Sequence, residues 1–522
     1  MRSKFIAADA AAALIEDDDT VVLMGGGGGL MEATCLFQAI EQRFLATARP
    51  RGLTVVHALG IGDKKTLGMN CFAHEGLVRK VIGGHWVWSP RMQQLAANEQ
   101  IEAYILPGGV SSQLLREIGA GRPGLFTHVG LGTVCDPRLG GGRMNARATE
   151  DLAEVVDIAG REYLRYKPYR VDVALVRASA ADEDGNISFE HEAANLDAQA
   201  LALAARACGG KVIVQVREML PRGGLKAREV RIPTAWVDAV VVDPGQRASY
   251  AIPFDPRLSG ELTGERRFGP EADTHETFNE RHAVARRAAC ELFEGAVVNY
   301  GVGVPDAVAG LVARRGELDR IYQTIEHGTY GGTLLTGELF GYARNPTAIL
   351  DAPTQFDFYG GGGLDVAFLG FGEFDAQGNV NVSRLGGLAV GPGGFIDIAQ
   401  NARKVVFCGT FAAKGVKLQT GDGAMRVLQQ GEVRKLVRQV EQVTFSGPQA
   451  LERSQEVLYL TERASFRLTA RGVELFELAP GIDLERDVLA QMAFRPPFAE
   501  SIATLPASHF LAQDDRLGAL SS

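Results

Sequence analysis

A single glutamate, Glu326, lies between a short β-strand pattern and a group of glycines, in the stretch IYQTIEHGTYGG that covers residues 321–332. At the carboxyl end of a parallel strand, a side chain points into the crevice where α/β proteins bind small ligands. A glutamate there can attack a carbonyl carbon as a covalent nucleophile. A glutamate before a glycine turn can equally be a solvated loop residue. The stretch alone leaves both interpretations open.

Two glycine loops are the other candidates for chemistry. One is the run 25–29 after the apolar segment TVVLM, and the other follows the apolar segment AVVNY and contains Gly301, Val302, Gly303, Val304 and Pro305. Such loops offer backbone N–H groups to a pyrophosphate, a thioester carbonyl or an oxyanion, although they also serve as simple turns. Neither has the G-x-G-x-x-G spacing, and the chain contains no Walker A motif. A nucleotide site of either standard kind is therefore not predicted.

Other catalytic patterns are missing from the sequence. The chain contains no G-x-S-x-G elbow and no H-E-x-x-H helix. Its six cysteines are far apart and include no C-x-x-C pair. The spacing predicts neither a metal site nor a disulfide framework, and it fits a reducing cytoplasm.

The elements expected to position Glu326 follow an α/β pattern that occurs twice along the chain. Apolar β-branched runs alternate with helical segments, which predicts open α/β domains with mostly parallel sheets. The segment DVALVRASAADEDGN, from Asp172, aligns with DVAFLGFGEFDAQGN, from Asp365, at a constant offset of 193 residues. We interpret this as an internal duplication of one α/β domain.

The duplication predicts two domains joined by a linker. Residues 1–243 form the predicted N-terminal domain, and residues 280–522 form the predicted C-terminal domain that carries Glu326. The connection 244–279 is rich in Pro, Gly and charged residues, which is typical of a linker.

The charge and composition of the chain limit the classes of partner that it is expected to bind. The chain has 522 residues and a net charge of −9 without a basic stripe, so nucleic acid is not an expected partner. No run of 18 apolar residues occurs, and the N-terminus lacks a signal-peptide pattern. We expect a cytoplasmic protein that acts on small molecules and does not bind a membrane.

Taken together and in order, several motifs resemble those of the family I coenzyme A transferases. They include FAHEGL, FTHVGLGTVCDPRLGGGRMN, VNYGVGVP, TIEHGTYGG, QFDFYGGGGLDVAFLG and GPGGFIDIAQNARKVVFCGTF, and they cover nearly the whole chain. The resemblance is to the acyl-CoA:acetate/3-ketoacid and propionate CoA-transferase group. It implies transfer of coenzyme A from a short-chain acyl-CoA to a free carboxylic acid through a glutamyl-CoA thioester.

The resemblance assigns roles to particular residues. Glu326 matches the nucleophile of the family. Gly393 and Gly394 match a glycine motif that provides oxyanion donors. Residues expected to line the CoA channel are Gly301, Val302, Gly303, Val304, Pro305 and Gly391. The resemblance further implies that coenzyme A is a substrate, that no cofactor is permanently bound, and that the enzyme is a homo-oligomer such as a tetramer.

The sequence departs from the family at two places. Gly108 replaces a Gln that many members carry, so that a backbone N–H or another side chain takes over its role or the acyl pocket is larger. The glycine run 25–29 replaces larger residues, which indicates a more mobile loop or room for a bulkier acyl group. His327 is expected to line the site rather than to act as an acid or base.

Three alternatives remain open from the sequence. An acyl-CoA hydrolase would use the same glutamyl intermediate with water as the acceptor. A catalytically impaired CoA-binding protein of the same fold would bind without turnover. A sugar-phosphate isomerase or dinucleotide enzyme could share the α/β frame, although the phosphate-binding motifs are absent.

Overall fold

The computed structural model describes residues 3–263 and 278–512. Within these ranges the chain packs into two compact units, each built around a mostly parallel sheet. Of the described residues, the first unit contains 3–263, Glu326–Asp357 and Gly386–Asp397, and the second contains 278–325, Phe358–Leu385 and 398–512. The α/β class predicted from the sequence is confirmed.

The sheet of the first unit has a parallel centre. In spatial order its strands are Val230–Ile232, Ile187–Ser188, Val173–Asp182, Thr20–Leu23, Leu53–His57, Val78–Gly83 and Glu102–Ile105, and Lys211–Leu220 and Ala239–Val242 extend it from Val173–Asp182. Only Ile187–Ser188 and Val230–Ile232 pair in the antiparallel sense among these strands. Val173–Asp182 is buried along its whole length, because side chains on both faces are covered.

Helices cover this sheet. They are Ala8–Ala12, Thr34–Thr47, Pro90–Ala97, Gly108–Gly119 and Ala198–Ala207, with 3-10 turns at Gly68–Phe72, Thr234–Trp236 and Gly337–Leu339. Shorter strands form a three-stranded sheet, Leu125–Thr127, Arg161–Tyr166 and Ala153–Ile158, and two hairpins, Thr329–Tyr330 with Ala348–Ile349 and Thr333–Leu334 with Ala343–Arg344. Two further helices, Ala352–Gly360 and Phe395–Asn401, begin in segments of this unit.

The sheet of the second unit follows the same plan. Its strands run in the order Tyr322–Thr324, Val297–Tyr300, Val366–Leu369, Lys404–Cys408, Glu456–Leu460, Ala464–Thr469, Gly472–Leu478 and Phe498–Thr504. The first five are parallel to one another. Its α-helices include Glu280–Ala289, Val304–Arg314 and Gly447–Glu452, and a π-helical turn at Leu484–Val488 is followed by 3-10 turns at Leu489–Gln491 and Ala507–Phe510.

The remaining short elements lie outside the two large sheets. They are the 3-10 turn Leu318–Arg320 and the strands Glu373–Phe374, Val380–Asn381, Arg384–Leu385, Leu388–Ala389, Ala412–Ala413, Lys417–Gln419, Arg426–Gln429 and Val433–Arg434.

The repeated motif makes the same hydrogen bonds in each unit. The Asp172 carboxylate accepts the N–H of Thr20, and the Asp365 carboxylate accepts the N–H of Val297. Further along, the carboxylates of Asp182 and Asp375 each close a turn on an asparagine four residues later. The same residues at the same spacing therefore make the same local hydrogen bonds in both units, which supports the duplication.

The predicted linker 244–279 lies partly outside the described residues, which omit 264–277. Its described part, 244–263, belongs to the first unit, where Tyr250 donates its N–H to the carbonyl of Gly28 at 2.8 Å. The predicted boundaries at residues 243 and 280 stay a prediction.

Candidate active site

Glu326 follows the strand Tyr322–Thr324 by two residues and packs within the first unit. Its carboxylate lies directly on the backbone of Gly394. A Cβ atom at position 394 would be 2.1 Å from Glu326 Oε2 and 2.8 Å from Cδ. Since Cβ atoms do not approach other atoms this closely, any side chain at position 394 would displace this carboxylate. The structure thus brings together two of the residues that the sequence singled out.

The turn that contains Gly394 is fixed by two neighbouring segments. Gly393 donates its N–H to the carbonyl of Gly84 at 2.7 Å, and its own carbonyl accepts the N–H of Gly108 at 2.7 Å. Trp86 donates its N–H to the carbonyl of Val390, also at 2.7 Å. The turn therefore has a defined position relative to Glu326.

These hydrogen bonds distinguish the two predicted oxyanion donors, Gly393 and Gly394. The N–H of Gly393 is occupied by Gly84, whereas the N–H of Gly394 has no hydrogen-bond partner among residues 3–263 and 278–512. The N–H of Gly108 is likewise occupied, so in this conformation it is not available as a donor. Of these three amides, that of Gly394 is the one available to an oxyanion.

The surroundings of Glu326 favour its neutral form. Burial raises the pKa of its carboxyl to about 7, although the residue stays partly accessible to solvent. The ring of Phe356 contributes to this apolar environment, since its Cζ would lie 3.3 Å from a Cβ at Gly394. Within the described chain no group donates a hydrogen bond to this carboxylate. A carboxylate with so little solvation is a stronger nucleophile than one in water.

His327, the next residue, is buried and uncharged. Its Nε2 lies 2.7 Å from the carbonyl oxygen of Gly341, which can only accept, so Nε2 carries the proton. Burial lowers the pKa of this imidazole to about 4. At neutral pH the residue is therefore not a general acid, in agreement with a lining role.

The glycine loop 25–29 is held in place rather than loose. The Glu32 carboxylate accepts the N–H of Gly29 at 3.3 Å, the N–H of Gly62 at 2.8 Å and the hydroxyl of Tyr250 at 2.5 Å. Trp88 packs on the loop so closely that a Cβ at Gly27 would lie 2.0 Å from its ring. Part of the space left by the glycines is thus filled by tryptophan, which argues against the mobile-loop interpretation.

The other predicted CoA-binding residues lie in two places. Gly391 belongs to the first unit, where a Cβ would lie 2.5 Å from the carbonyl oxygen of Gly84. In the second unit, Gly301, Val302 and Gly303 connect the strand Val297–Tyr300 to the helix Val304–Arg314, whose first two residues are Val304 and Pro305. Gly303 has a positive φ of 97°, which glycine adopts readily. The CoA-binding role of these residues stays a prediction.

Sequence reasoning missed two buried carboxylates, Glu32 and Asp397. Asp397 lies three residues after Gly394, and its spacing within GPGGFID was the available signal. Glu32 is distant in sequence from every residue that it binds except Gly29, so no local pattern pointed to it.

All six cysteines are unpaired. Among the residues that the structure describes, no cluster of His, Cys, Asp or Glu side chains could hold a metal ion. None of the helices in the described ranges is long and apolar enough to cross a bilayer.

A carboxylate beside a glycine turn suits acyl-group transfer by a covalent route, and comparisons with known proteins identify the family. Residues 5–243 match the coenzyme A transferase family. The chain is 42% identical to the acetate CoA-transferase YdiF of Escherichia coli K12, over 92% of this chain and 90% of that protein. It is also 42% identical to the caffeate CoA-transferase of Acetobacterium woodii, over 92% of each chain.

Two solved structures are similar to this chain over nearly its whole length. The thioester complex of the acyl-CoA transferase YdiF from Escherichia coli O157:H7 with CoA superposes with a TM-score of 0.92, at 40% identity, and covers 98% of this chain and 97% of that chain. The apoenzyme of the same protein gives a TM-score of 0.93, covering 100% and 98%. This chain belongs to the coenzyme A transferase family. It is an enzyme that transfers coenzyme A from an acyl-CoA to a carboxylate.

Proposed function

We propose that the enzyme transfers coenzyme A from a short-chain acyl-CoA to a free carboxylic acid of the acetate or 3-ketoacid type, with Glu326 as the carrier. The observation that carries this proposal is the Glu326 carboxylate, which lies on the backbone of Gly394 with no side chain between them. A nucleophile and an available backbone donor are thereby adjacent.

The reaction needs a third carboxylate, because coenzyme A moves between two others without loss of the thioester energy. The Glu326 carboxylate attacks the acyl-CoA carbonyl, and the carbon–sulfur bond breaks to give an acyl-glutamyl anhydride and CoA thiolate. The thiolate then attacks the glutamyl carbonyl, which releases the donor acid and leaves a glutamyl-CoA thioester. The acceptor acid performs both steps in reverse, so no net proton is consumed.

Each addition passes through an oxyanion, and we assign its stabilisation to the N–H of Gly394, which has no hydrogen-bond partner among residues 3–263 and 278–512. Removal of one such donor costs about 10² to 10³ in rate in other enzymes. Burial supports transfer over hydrolysis, because a site that excludes water protects the thioester. Acyl-CoA and small carboxylic acids are the proposed partners.

Two further features belong to the proposal. The relative that forms a CoA thioester complex supports coenzyme A as substrate rather than as a resident cofactor. A cytoplasmic location and a homo-oligomer such as a tetramer are proposed from the family resemblance.

The test is the intact mass of the protein after mixing with acetyl-CoA, propionyl-CoA or acetoacetyl-CoA without an acceptor. We expect a CoA-sized adduct that maps to the peptide containing Glu326 and is discharged by acetate. Glu326→Gln, of nearly the same shape, should form no adduct. An adduct on another residue, or full turnover by Glu326→Gln, would remove Glu326 from the mechanism. An adduct that decays in water as fast as in acetate would favour the hydrolase.

A further inference from the structure

A second buried carboxylate, that of Asp397, lies close to the active site. Only 2% of Asp397 is exposed. Its Oδ2 accepts the N–H of Gly109 at 3.0 Å, and its Oδ1 accepts the N–H of Val110 at 3.1 Å. Both oxygens act as acceptors at the amino end of the helix Gly108–Gly119, where the helix dipole favours negative charge. This geometry suits an ionised carboxylate.

These bonds tie Asp397 to the turn that carries Gly394. Three successive amides of one helix, those of Gly108, Gly109 and Val110, bind the carbonyl of Gly393 and the two oxygens of Asp397. Asp397 lies three residues beyond Gly394 in the helix Phe395–Asn401. The amino end of one helix therefore holds both sides of the turn.

The ring of Phe356 connects the surroundings of the two carboxylates. A Cβ at Gly109 would lie 2.4 Å from Phe356 Cδ1 and 2.6 Å from Asp397 Oδ1. At Gly394 the corresponding position is 3.3 Å from Phe356 Cζ and 2.1 Å from Glu326 Oε2. Both carboxylates thus border the same aromatic ring, and their repulsion is poorly screened in such an apolar setting.

We propose that Asp397 is a positioning residue for CoA transfer, which fixes the Gly394 turn beneath Glu326 and places a second titratable carboxyl group beside the nucleophile. The inference rests on the proposed role of Glu326. When Asp397 is ionised, repulsion between the two carboxylates makes Glu326 more basic and hence more nucleophilic. Conversion of Glu326 to a neutral thioester removes this repulsion, which favours the covalent intermediate over the free enzyme.

Three titratable groups near Asp397, those of His85, Cys135 and Tyr166, carry no charge at neutral pH. Burial lowers the pKa of His85, which borders Gly393, to about 4. Burial also raises the pKa values of the Cys135 thiol and the Tyr166 hydroxyl well above neutrality. Burial raises the pKa of the Asp397 carboxyl to about 8, the N–H of Gly109 opposes this rise, and the Glu326 carboxylate adds to it. Glu326 and Asp397 therefore titrate close together in pH, and ionisation of either one opposes ionisation of the other.

The test compares the pH dependence of kcat/KM in Asp397→Asn with that of the wild-type enzyme. Because the substitution removes the carboxyl group that is coupled to Glu326, the acid limb of the pH profile of kcat/KM should move to lower pH by about one unit. The plateau should fall about tenfold, because the amide offers one acceptor oxygen to two N–H groups. The matched control is Asp197→Asn, since Asp197 is also buried and accepts the hydroxyl of Ser112 from the same helix, at 3.1 Å. Its acid limb should not move. A lower plateau with an unmoved acid limb in Asp397→Asn would overturn the proposal and leave a merely structural role.

A reciprocal measurement covers the case in which Asp397→Asn fails to fold. In Glu326→Gln, infrared titration with isotope-labelled aspartate should show the buried Asp397 carboxyl ionising at lower pH than in the wild type. An unchanged titration would refute the coupling. The two proposals fail separately: an active Glu326→Gln variant rejects the nucleophile, whereas an inactive one with an unchanged Asp397 titration rejects only the role of Asp397.

Discussion

At the scale of the residue, Gly394 shows how a glycine can be required by space rather than by conformation. No positive φ is found at Gly394, in contrast to Gly391 and Gly393, whose φ values are 79° and 53°. An alanine could adopt its backbone conformation, but its Cβ would meet the Glu326 carboxylate at 2.1 Å and, less severely, Phe356 Cζ at 3.3 Å. The effect of a methyl group there therefore reports mainly on the nucleophile.

Gly394→Ala should lower kcat/KM about 100-fold, because a displacement of the reacting carboxylate by about 1 Å is sufficient for such a loss. The measurement is steady-state transfer from acetyl-CoA, with the yield of the Glu326 adduct as a second readout. Gly360→Ala is the matched control, since a Cβ at Gly360 meets no atom within 4 Å. A fully active Gly394→Ala enzyme would show that this contact does not matter to the reaction.

Glu326 should also reduce the stability of the enzyme at neutral and alkaline pH. Burial raises its pKa from an ordinary value near 4.5 to about 7, so the folded protein favours the protonated form. This contribution is fully present below pH 4.5 and is lost as the pH rises through 7. Glu326→Gln should therefore be more stable than the wild type at pH 8, by about 1–2 kcal/mol after allowance for partial exposure, and equally stable at pH 4.

Urea unfolding at both pH values measures this difference. Glu500→Gln, at an exposed position in the strand Phe498–Thr504, is the control. A gain in stability that is the same at pH 4 and pH 8 would contradict a titration of Glu326.

At the scale of the element, the glycine loop 25–29 is held by a side chain outside the loop, that of Glu32. Glu32 is fully buried, and burial raises the pKa of its carboxyl to about 8. Its three donors come from the loop, from Gly62 and from Tyr250, so one carboxylate joins three segments of the first unit. Loss of a single donor leaves a buried acceptor partly unsatisfied.

Tyr250→Phe should thus lower the free energy of unfolding by about 1–3 kcal/mol, the cost of a buried acceptor without its partner. Urea titration checks this value. Tyr322→Phe provides the comparison, because Tyr322 is 63% exposed and its substitution should change stability little. Equal effects of the two substitutions would mean that the Tyr250 hydroxyl does not stabilise the loop.

Local patterns in the sequence were sufficient for the strands and the duplicated turn. The apolar run at Thr20 became the strand Thr20–Leu23, and AVVNY became Val297–Tyr300. The helix that follows the first glycine loop begins at Thr34. The contacts of Glu32 with Gly62 and Tyr250 span 30 and 218 residues, and periodicity carries no information at such separations. Resemblance supplied Glu326, whereas the contacts of Glu32 could be found only from the three-dimensional packing.

At the scale of the whole molecule, the first unit is discontinuous in sequence. Residues Glu326–Asp357 and Gly386–Asp397 pack with it, although they follow the predicted boundary at residue 280. Tyr342, from the first of these segments, is buried and donates its hydroxyl to the carbonyl of Ala248 at 3.1 Å. Ala352 donates its N–H to the carbonyl of Leu196 at 2.8 Å. The nucleophile and the glycine turn thus fold as parts of the first unit.

A fragment of residues 1–263 should consequently be less stable than the same region in the full chain. Without Tyr342 and its neighbours, apolar surface that is buried in the enzyme meets water, and each large side chain removed from a core costs about 3–5 kcal/mol. We expect the fragment to unfold at a lower temperature than the full chain and to bind a hydrophobic dye before it unfolds. Calorimetry of both proteins at the same concentration and pH provides the comparison. A fragment that unfolds cooperatively at the temperature of the full chain would instead support a continuous N-terminal domain, because the first unit would then need nothing from beyond residue 280.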